Sequence, residues 1–398
     1  MRVAIVNTLY PPTNVGGAER SVAVLAEALA ATGDEVHVIA LDDIKAASIE
    51  VVTGVTVHRL PHGNLYWPFA DDRPGLAGRI GWQAKDRGMA AVTADVRKLL
   101  QDLRPDVLHT NNLTGFGSGV IPIARDLCIP VIHTLRDFSL LCARASLFRS
   151  GKDCKARCLS CRVLTGPRMK AARDVQIVVG NSEYMVTRHR AEGLFGKTPA
   201  RTIFSAVPGI SAASADAGEA SSPTLRIGFL GAVKPEKGIE ELLEACRSLP
   251  ASGWTLTIGG KGDGGYVNAL KARHAGLPIM WSGFVAADRF YEEVDLVVIP
   301  SIWPEPMPRV LIEAIAHGLP VFVSDAGGAP EVAALHAGAT VYPRRDTQRL
   351  GELLAASIRE RPARVAPDMA IVEKFGTGRL VAEYREAYRD AIAEFCDA

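Results

Sequence analysis

The chain alternates short β-branched runs with helix-length stretches, and it does so in two separate series. Residues 2–7 read as a strand and 9–17 as a Pro/Gly loop. Residues 18–32 read as an Ala/Leu-rich helix stopped by Gly33, and 35–41 as a second strand. Such a βαβ unit opens a parallel sheet. Further strands fit at 55–60, 106–110, 130–134 and 175–180, with helices between them, notably over 83–103. Residues 205–223 are rich in Ala, Ser, Gly and Asp and poor in large apolar side chains, so they read as a linker. A second series follows: strands at 225–230, 254–258, 279–282, 295–299 and 320–324, helices at 238–248 and 266–274. A chain of 398 residues holds two domains of ordinary size. The expectation is an α/β fold with a first domain at 1–205, a linker at 206–224 and a second domain at 225–377. In the tail, 378–398, Leu380, Val381, Tyr384, Ala387, Tyr388 and Ile392 fall at helical spacing.

Hydrophobic content of 48% and charged content of 22% describe a soluble globular chain. A formal net charge of +1 gives no field for nucleic acid, so no nucleic-acid partner is expected. The first residues, MRVAIVNTLYPP, read as a strand and not as a signal peptide. No run approaches the roughly 18 apolar residues of a membrane span. A cytoplasmic location is expected, with peripheral membrane contact left open. The aromatic residues Tyr66, Trp67, Phe69 and Trp82 could bind a sugar or lipid and are read as core.

The segment 300–331, PSIWPEPMPRVLIEAIAHGLPVFVSDAGGAPE, carries the chemistry. Glu305 lies in a Pro-rich turn, and Glu313 follows eight residues later inside a helix, between Ile312 and Ala314. An unpaired buried carboxylate is costly to desolvate, so a polar partner, such as a ligand hydroxyl, is expected at Glu313.

This segment resembles the donor-binding signature of retaining glycosyltransferases of the GT-B fold, family 4 in particular, whose Glu-x7-Glu spacing it matches. The resemblance extends over nearly the whole chain. It implies two Rossmann-like domains facing across a cleft, with the last helix packing back on the first domain. It also implies that Glu305, with the backbone of Met307, Pro308 and Arg309, contacts the donor sugar and that Glu313 contacts the nucleotide ribose. The family's Glu-Pro-Phe-Gly is here Glu305-Pro306-Met307-Pro308, which alters the sugar wall.

Other motifs follow the strands. Gly16 and Gly17 lie between the first strand and its helix, where bare backbone and free N–H groups favour an anion. The family places this loop near donor phosphate and acceptor. Gly231-Ala232-Val233-Lys234-Pro235-Glu236-Lys237-Gly238 matches the family's phosphate loop at Lys237, a cation for the leaving diphosphate. The usual family Arg is Ala232, and Lys234 or Lys261 could compensate. Gly283, Phe284 and Val285 fall where the family contacts the base. The loop Gly259–Gly265 reads as structural. Arg136 stands where many relatives have a His beside the donor sugar. Arg is no general base, but it can orient a phosphate or an acidic acceptor. His109 and His133 end first-domain strands, and His109 is a candidate beside the acceptor.

Seven cysteines are an odd number, and Cys142, Cys154, Cys158 and Cys161 lie in a basic segment. Four thiolates suit a structural zinc. Reduced thiols, disulfides and an iron–sulfur cluster remain alternatives. Cys128, Cys246 and Cys396 read as ordinary buried residues.

The resemblance thus implies transfer of a sugar from a nucleotide-sugar, UDP- or GDP-linked, to an acceptor hydroxyl with retention of configuration. The catalytic candidates are Glu305, Lys237, Arg136 and His109. No Asp-x-Asp motif is present, so a catalytic metal is not implied. Polysaccharide or other glycoconjugate assembly, with a glycan or lipid-linked acceptor, is preferred over a small-molecule natural-product acceptor. A nucleotide-sugar epimerase, a glycan phosphorylase and a non-catalytic sugar-nucleotide binder are the readings from other classes.

Overall fold

The structure, a computed structural model, describes residues 1–13, 16–70, 74–87, 90–211 and 223–396. Most of the expected linker therefore lies outside the described residues, as do Asn14 and Val15 of the first Gly-rich loop. The chain forms two compact units. The first comprises Met1–Leu147, Cys154–Pro208 and Thr377–Ala398; the second comprises Phe148–Asp153 and Gly209–Gly376.

The first unit holds strands β1 (Arg2–Val6), β2 (Glu35–Asp42), β3 (Ser48–Val52), β4 (Val55–Pro61), β5 (Val107–Thr110) and β6 (Val131–Leu135). The two-residue strands β7 (Phe148–Arg149) and β8 (Lys152–Asp153) make a hairpin that belongs to the second unit. Strands β9 (Ile177–Gly180) and β10 (Ala200–Thr202) complete the first sheet, in the order β10-β9-β6-β5-β1-β2-β4-β3. Every pairing is parallel except β3 with β4. The strand order reverses direction at β1, which has β2 on one side and β5 on the other. Open parallel sheets bind ligands beyond the strand carboxyl ends at such a point.

The last helix, Thr377–Cys396, buries Leu380, Val381, Tyr384, Ala387 and Tyr388 in the first unit's core beside Val22, Leu25 and Leu29 of helix Gly17–Ala31. Trp67 and Trp82 are core residues, while Tyr66 and Phe69 are half-buried. The single helix read over 83–103 is two, Leu76–Asp86 and Ala90–Leu103. Gly88, a poor helix former, lies in the sequence between them.

The second unit holds β11 (Leu225–Leu230), β12 (Trp254–Gly259), β13 (Ile279–Gly283), β14 (Leu296–Ile299), β15 (Val321–Ser324) and β16 (Ala339–Tyr342). Their order is β13-β12-β11-β14-β15-β16, all parallel. The order reverses at β11, flanked by β12 and β14. The strands β11, β14 and β15 are apolar because helices cover both faces of a doubly wound sheet. Both units are thus Rossmann-like, the α/β fold that the sequence leads one to expect. No helix among the described residues is long and apolar enough to cross a membrane.

Candidate functional site

In the second unit, the reversal point brings the loop after β11 against the loop after β14. The Ile302 N–H donates to the Glu236 carbonyl at 3.0 Å, tying the two together. Gly238 sits at φ +71°, and a side chain there would overlap the Pro300 carbonyl. Only glycine allows both the conformation and this approach. Lys237 is thereby placed on Glu305, with which it forms an ion pair. Its ammonium also lies 5.6 Å from the centroid of the Trp303 ring. Glu305 is only 6% exposed. Its second carboxylate oxygen accepts from the Ser301 hydroxyl at 2.6 Å. The loop after β15 closes the arrangement: Ser324 donates to the Ser301 carbonyl at 2.6 Å, and the Gly328 N–H donates to the Glu305 carbonyl at 2.9 Å. Gly327, at φ +61°, packs directly on the Glu305 backbone.

Glu313 is buried, yet it needs no ligand to satisfy it. Arg309 Nε donates to Oε1 at 2.9 Å and the Tyr291 hydroxyl donates to Oε2 at 3.0 Å. The polar partner expected at Glu313 is present, supplied by the protein and not by a ligand. These partners come from one helical turn earlier and from helix Ala287–Glu292. A carboxylate has about four acceptor positions, so room for a further donor remains. Pro308 is the N-cap of helix Arg309–Ala316, and Met307 is half-buried beside it.

The remaining second-unit candidates are more open. Lys234 and Lys261 are exposed and Ala232 is half-buried. Gly283 ends β13 at φ +64°, and Val285 is half-buried. Phe284 is 80% exposed, with the Lys261 ammonium 5.9 Å from its ring centroid.

In the first unit, Gly16 and Gly17 are exposed at the start of helix Gly17–Ala31. The Gly16 N–H is already taken by the Glu19 carboxylate at 3.0 Å. Burial pushes the Glu19 carboxyl pKa up, and the nearby Asp137 adds to the rise while Arg136 opposes it. Arg136 follows β6 and donates from Nε to Asn111 Oδ1 at 2.7 Å. Asp137 accepts from Asn112 Nδ2 at 2.8 Å and from the Ser139 N–H at 2.7 Å. Its own pKa is raised by burial.

His109 does not face a ligand. It is fully buried, with Nδ1 on the Tyr388 hydroxyl at 2.9 Å and Nε2 on Thr134 at 2.7 Å. Desolvation holds its pKa well below the ordinary value, so it is a neutral core residue that anchors the last helix. His133 is likewise buried against Thr110, its pKa pushed down to about 3 by desolvation.

Of the clustered cysteines, Cys142 and Cys161 are buried, Cys154 is half-buried and Cys158 is exposed. The Cys161 thiol is pushed up to about 12, chiefly by burial, with Cys142 and Cys158 near enough to contribute. Among the described residues, no three His, Cys, Asp or Glu side chains converge as ligands of one metal ion. No disulfide joins the four cysteines. Cys246 is buried as expected, but Cys128 and Cys396 are exposed.

Three residues that complete these sites carry no strong sequence signal. Ser301 and Tyr291 support the two glutamates, and Asn111 supports Arg136. Each is a common residue type, marked only by where the chain folds.

Comparison with known proteins gives a consistent picture. The family model described as glycosyl transferases group 1 matches residues 215–374, and that described as glycosyl transferase 4-like domain matches residues 16–203. A 42.6 kDa protein in the cps region of Klebsiella pneumoniae is 29% identical over 332 residues, covering 83% of this chain and 87% of the relative. A GDP-mannose-dependent alpha-mannosyltransferase of Mycolicibacterium smegmatis is 27% identical, covering 84% and 82%. Among solved structures, Anabaena HepE in complex with UDP and glucose superposes with a TM-score of 0.71 at 18% identity, covering 98% of this chain and 99% of that one. Sucrose-phosphate synthase from Thermosynechococcus elongatus gives a TM-score of 0.75 at 16% identity, with the same coverage. The two family matches together take in most of the sequence, and both describe glycosyltransferase domains, so the comparisons support a glycosyltransferase.

Proposed function

We propose that the protein transfers a sugar from a nucleoside-diphosphate sugar to an acceptor hydroxyl, with retention of configuration, in the assembly of a polysaccharide or related glycoconjugate. The observation that carries this reading is the Lys237–Glu305–Ser301 cluster at the reversal point of the second unit's sheet. Lys237 has three N–H donors and gives one to Glu305, so two are left for phosphate oxygens. Negative charge grows on the diphosphate as the glycosidic bond breaks, and a fixed cation there lowers the barrier. Glu305, held by Lys237 and Ser301, has acceptor positions left for sugar hydroxyls. Glu313, held by Arg309 and Tyr291, is set to accept from a ribose hydroxyl. The exposed Phe284 ring offers a flat apolar face for a nucleobase. The bond from the anomeric carbon to phosphate breaks, a bond to the acceptor oxygen forms, and the acceptor's proton passes to the departing phosphate.

UDP and GDP are the preferred donor bases. The HepE structure contains UDP, and the Mycolicibacterium relative is named for GDP-mannose. The Klebsiella relative's place in a cps region supports the polysaccharide assignment. The test is incubation with UDP- and GDP-sugars and a panel of saccharide acceptors, with the anomeric configuration of product read by NMR. A product with the donor's anomeric configuration supports the reading, and an inverted product removes retention. Conversion of donor to its epimer without acceptor would assign an epimerase. Binding without turnover across the panel would assign a non-catalytic binder.

A further inference from the structure

At the carboxyl ends of β5 and β6 in the first unit's sheet stands a cation whose own protein partners leave it half used. Arg136 follows β6, and Asn111 follows the adjacent β5. Arg136 Nε is fixed by Asn111 Oδ1 at 2.7 Å. Its two terminal NH2 groups form no ion pair among the described residues. Most buried or half-buried arginines of this chain are otherwise engaged: Arg59 pairs with Glu50, Arg168 with Asp86 and Arg309 with Glu313. Asn111 is only 2% exposed, and its Nδ2 has no hydrogen-bond partner. Because Oδ1 and Nδ2 sit on one carbon, this orphaned donor lies beside the same guanidinium. A buried donor left unmade costs about 1–3 kcal/mol, so such a group points to a missing acceptor.

We propose that Arg136 and Asn111 bind an anionic group carried by the acceptor, a carboxylate or phosphate substituent of an acidic sugar. The inference rests on the transferase reading, which supplies the acceptor. The free edge of a guanidinium matches a carboxylate or phosphate with two parallel hydrogen bonds, and the Asn111 amide adds a third donor. The neighbouring acids favour a singly charged group. Asp137 and Arg136 both act electrostatically on the Glu19 carboxyl, in opposite directions. A diphosphate would meet those acids with more charge than one arginine offsets. A uronate carboxylate adds one negative charge beside these acids where a phosphate monoester adds up to about two, and the Glu19 carboxyl can accept from a ring hydroxyl.

The test uses the full chain and calorimetry with glucuronate, glucose 6-phosphate and glucose as probes, with UDP and GDP titrated in parallel. Wild type is expected to bind at least one acidic probe and to bind glucose at least tenfold more weakly. Arg136→Gln should lose that binding at least tenfold, while Arg136→Lys keeps part of it. Both variants should retain the nucleoside diphosphate affinity of wild type, which also shows that they are folded. Acid binding that survives Arg136→Gln, or no preference over glucose, overturns the proposal. Loss of diphosphate affinity with acid binding unchanged would assign the anion to the donor and overturn it too. If no diphosphate binds wild type while Arg136-dependent acid binding persists, the transferase reading fails and the anion site stands.

Discussion

At the scale of single residues, the site is made of carboxylates already in the grip of protein cations and hydroxyls. Removing the charge of Lys237 takes away a charge-assisted contact worth about 1.5–3 kcal/mol. Lys237→Gln should therefore weaken nucleoside diphosphate binding roughly tenfold or more, read by calorimetry. Unchanged affinity would remove Lys237 from the phosphate site. The usual family arginine is absent at Ala232, and Lys261 is an exposed cation beside Phe284. Lys261→Ala should weaken diphosphate binding by a smaller factor, because an exposed cation contributes only about 1 kcal/mol or less. An affinity equal to wild type would show that Lys261 does not compensate.

At the scale of elements, the glycine turns after β11 and β15 hold the candidate groups Lys237 and Glu305 by close backbone contact. Gly327→Ala would force a side chain into the Glu305 backbone at a positive φ, which alone costs about 1–2 kcal/mol. The variant should lose diphosphate affinity together with thermal stability, measured on one sample. Stability and affinity equal to wild type would mean that this turn does not hold Glu305. In the first unit, the last helix is pinned by the Tyr388–His109 bond. Tyr388→Phe leaves His109 Nδ1 buried without its partner, a cost of about 1–3 kcal/mol, and should lower the melting temperature by several degrees. An unchanged melting temperature would show that the bond contributes nothing. The apolar core strands and the last helix were legible in the sequence: β1, β2, β11 and β14 stand out by buried, largely apolar runs, and the helix by its spacing. The edge strands β3, β10 and β16 were not. Each is only three to five residues long and is defined by its pairing partner.

At the scale of the whole molecule, Glu305, Glu313 and Lys237 were legible because their spacing matches a family pattern. Their partners were not, because Tyr291 and Ser301 are placed by tertiary folding. His109 was misjudged for a related reason. A strand-end histidine looks available until the last helix, 279 residues later, covers it. The same burial makes the first unit acid-sensitive. His133 and His189 have pKa values pushed down to about 3 and about 4 by desolvation, against 6.5 when unfolded. Below pH 6.5 the unfolded chain binds protons that the folded unit does not. The stability present above pH 6.5 is thus lost progressively as pH falls toward 4, by up to about 1.4 kcal/mol per pH unit for each histidine. Melting temperatures across that range should fall steadily, and a flat profile would contradict neutral buried histidines.

The central claim is that the second unit binds a nucleoside-diphosphate sugar through Lys237 and Glu305. The most direct test is calorimetric titration of wild type and Lys237→Gln with UDP, GDP, ADP, TDP and CDP. The account predicts that at least one diphosphate binds wild type and that the substitution weakens it tenfold or more. Absence of binding by every diphosphate, or equal binding by the folded variant, would contradict it.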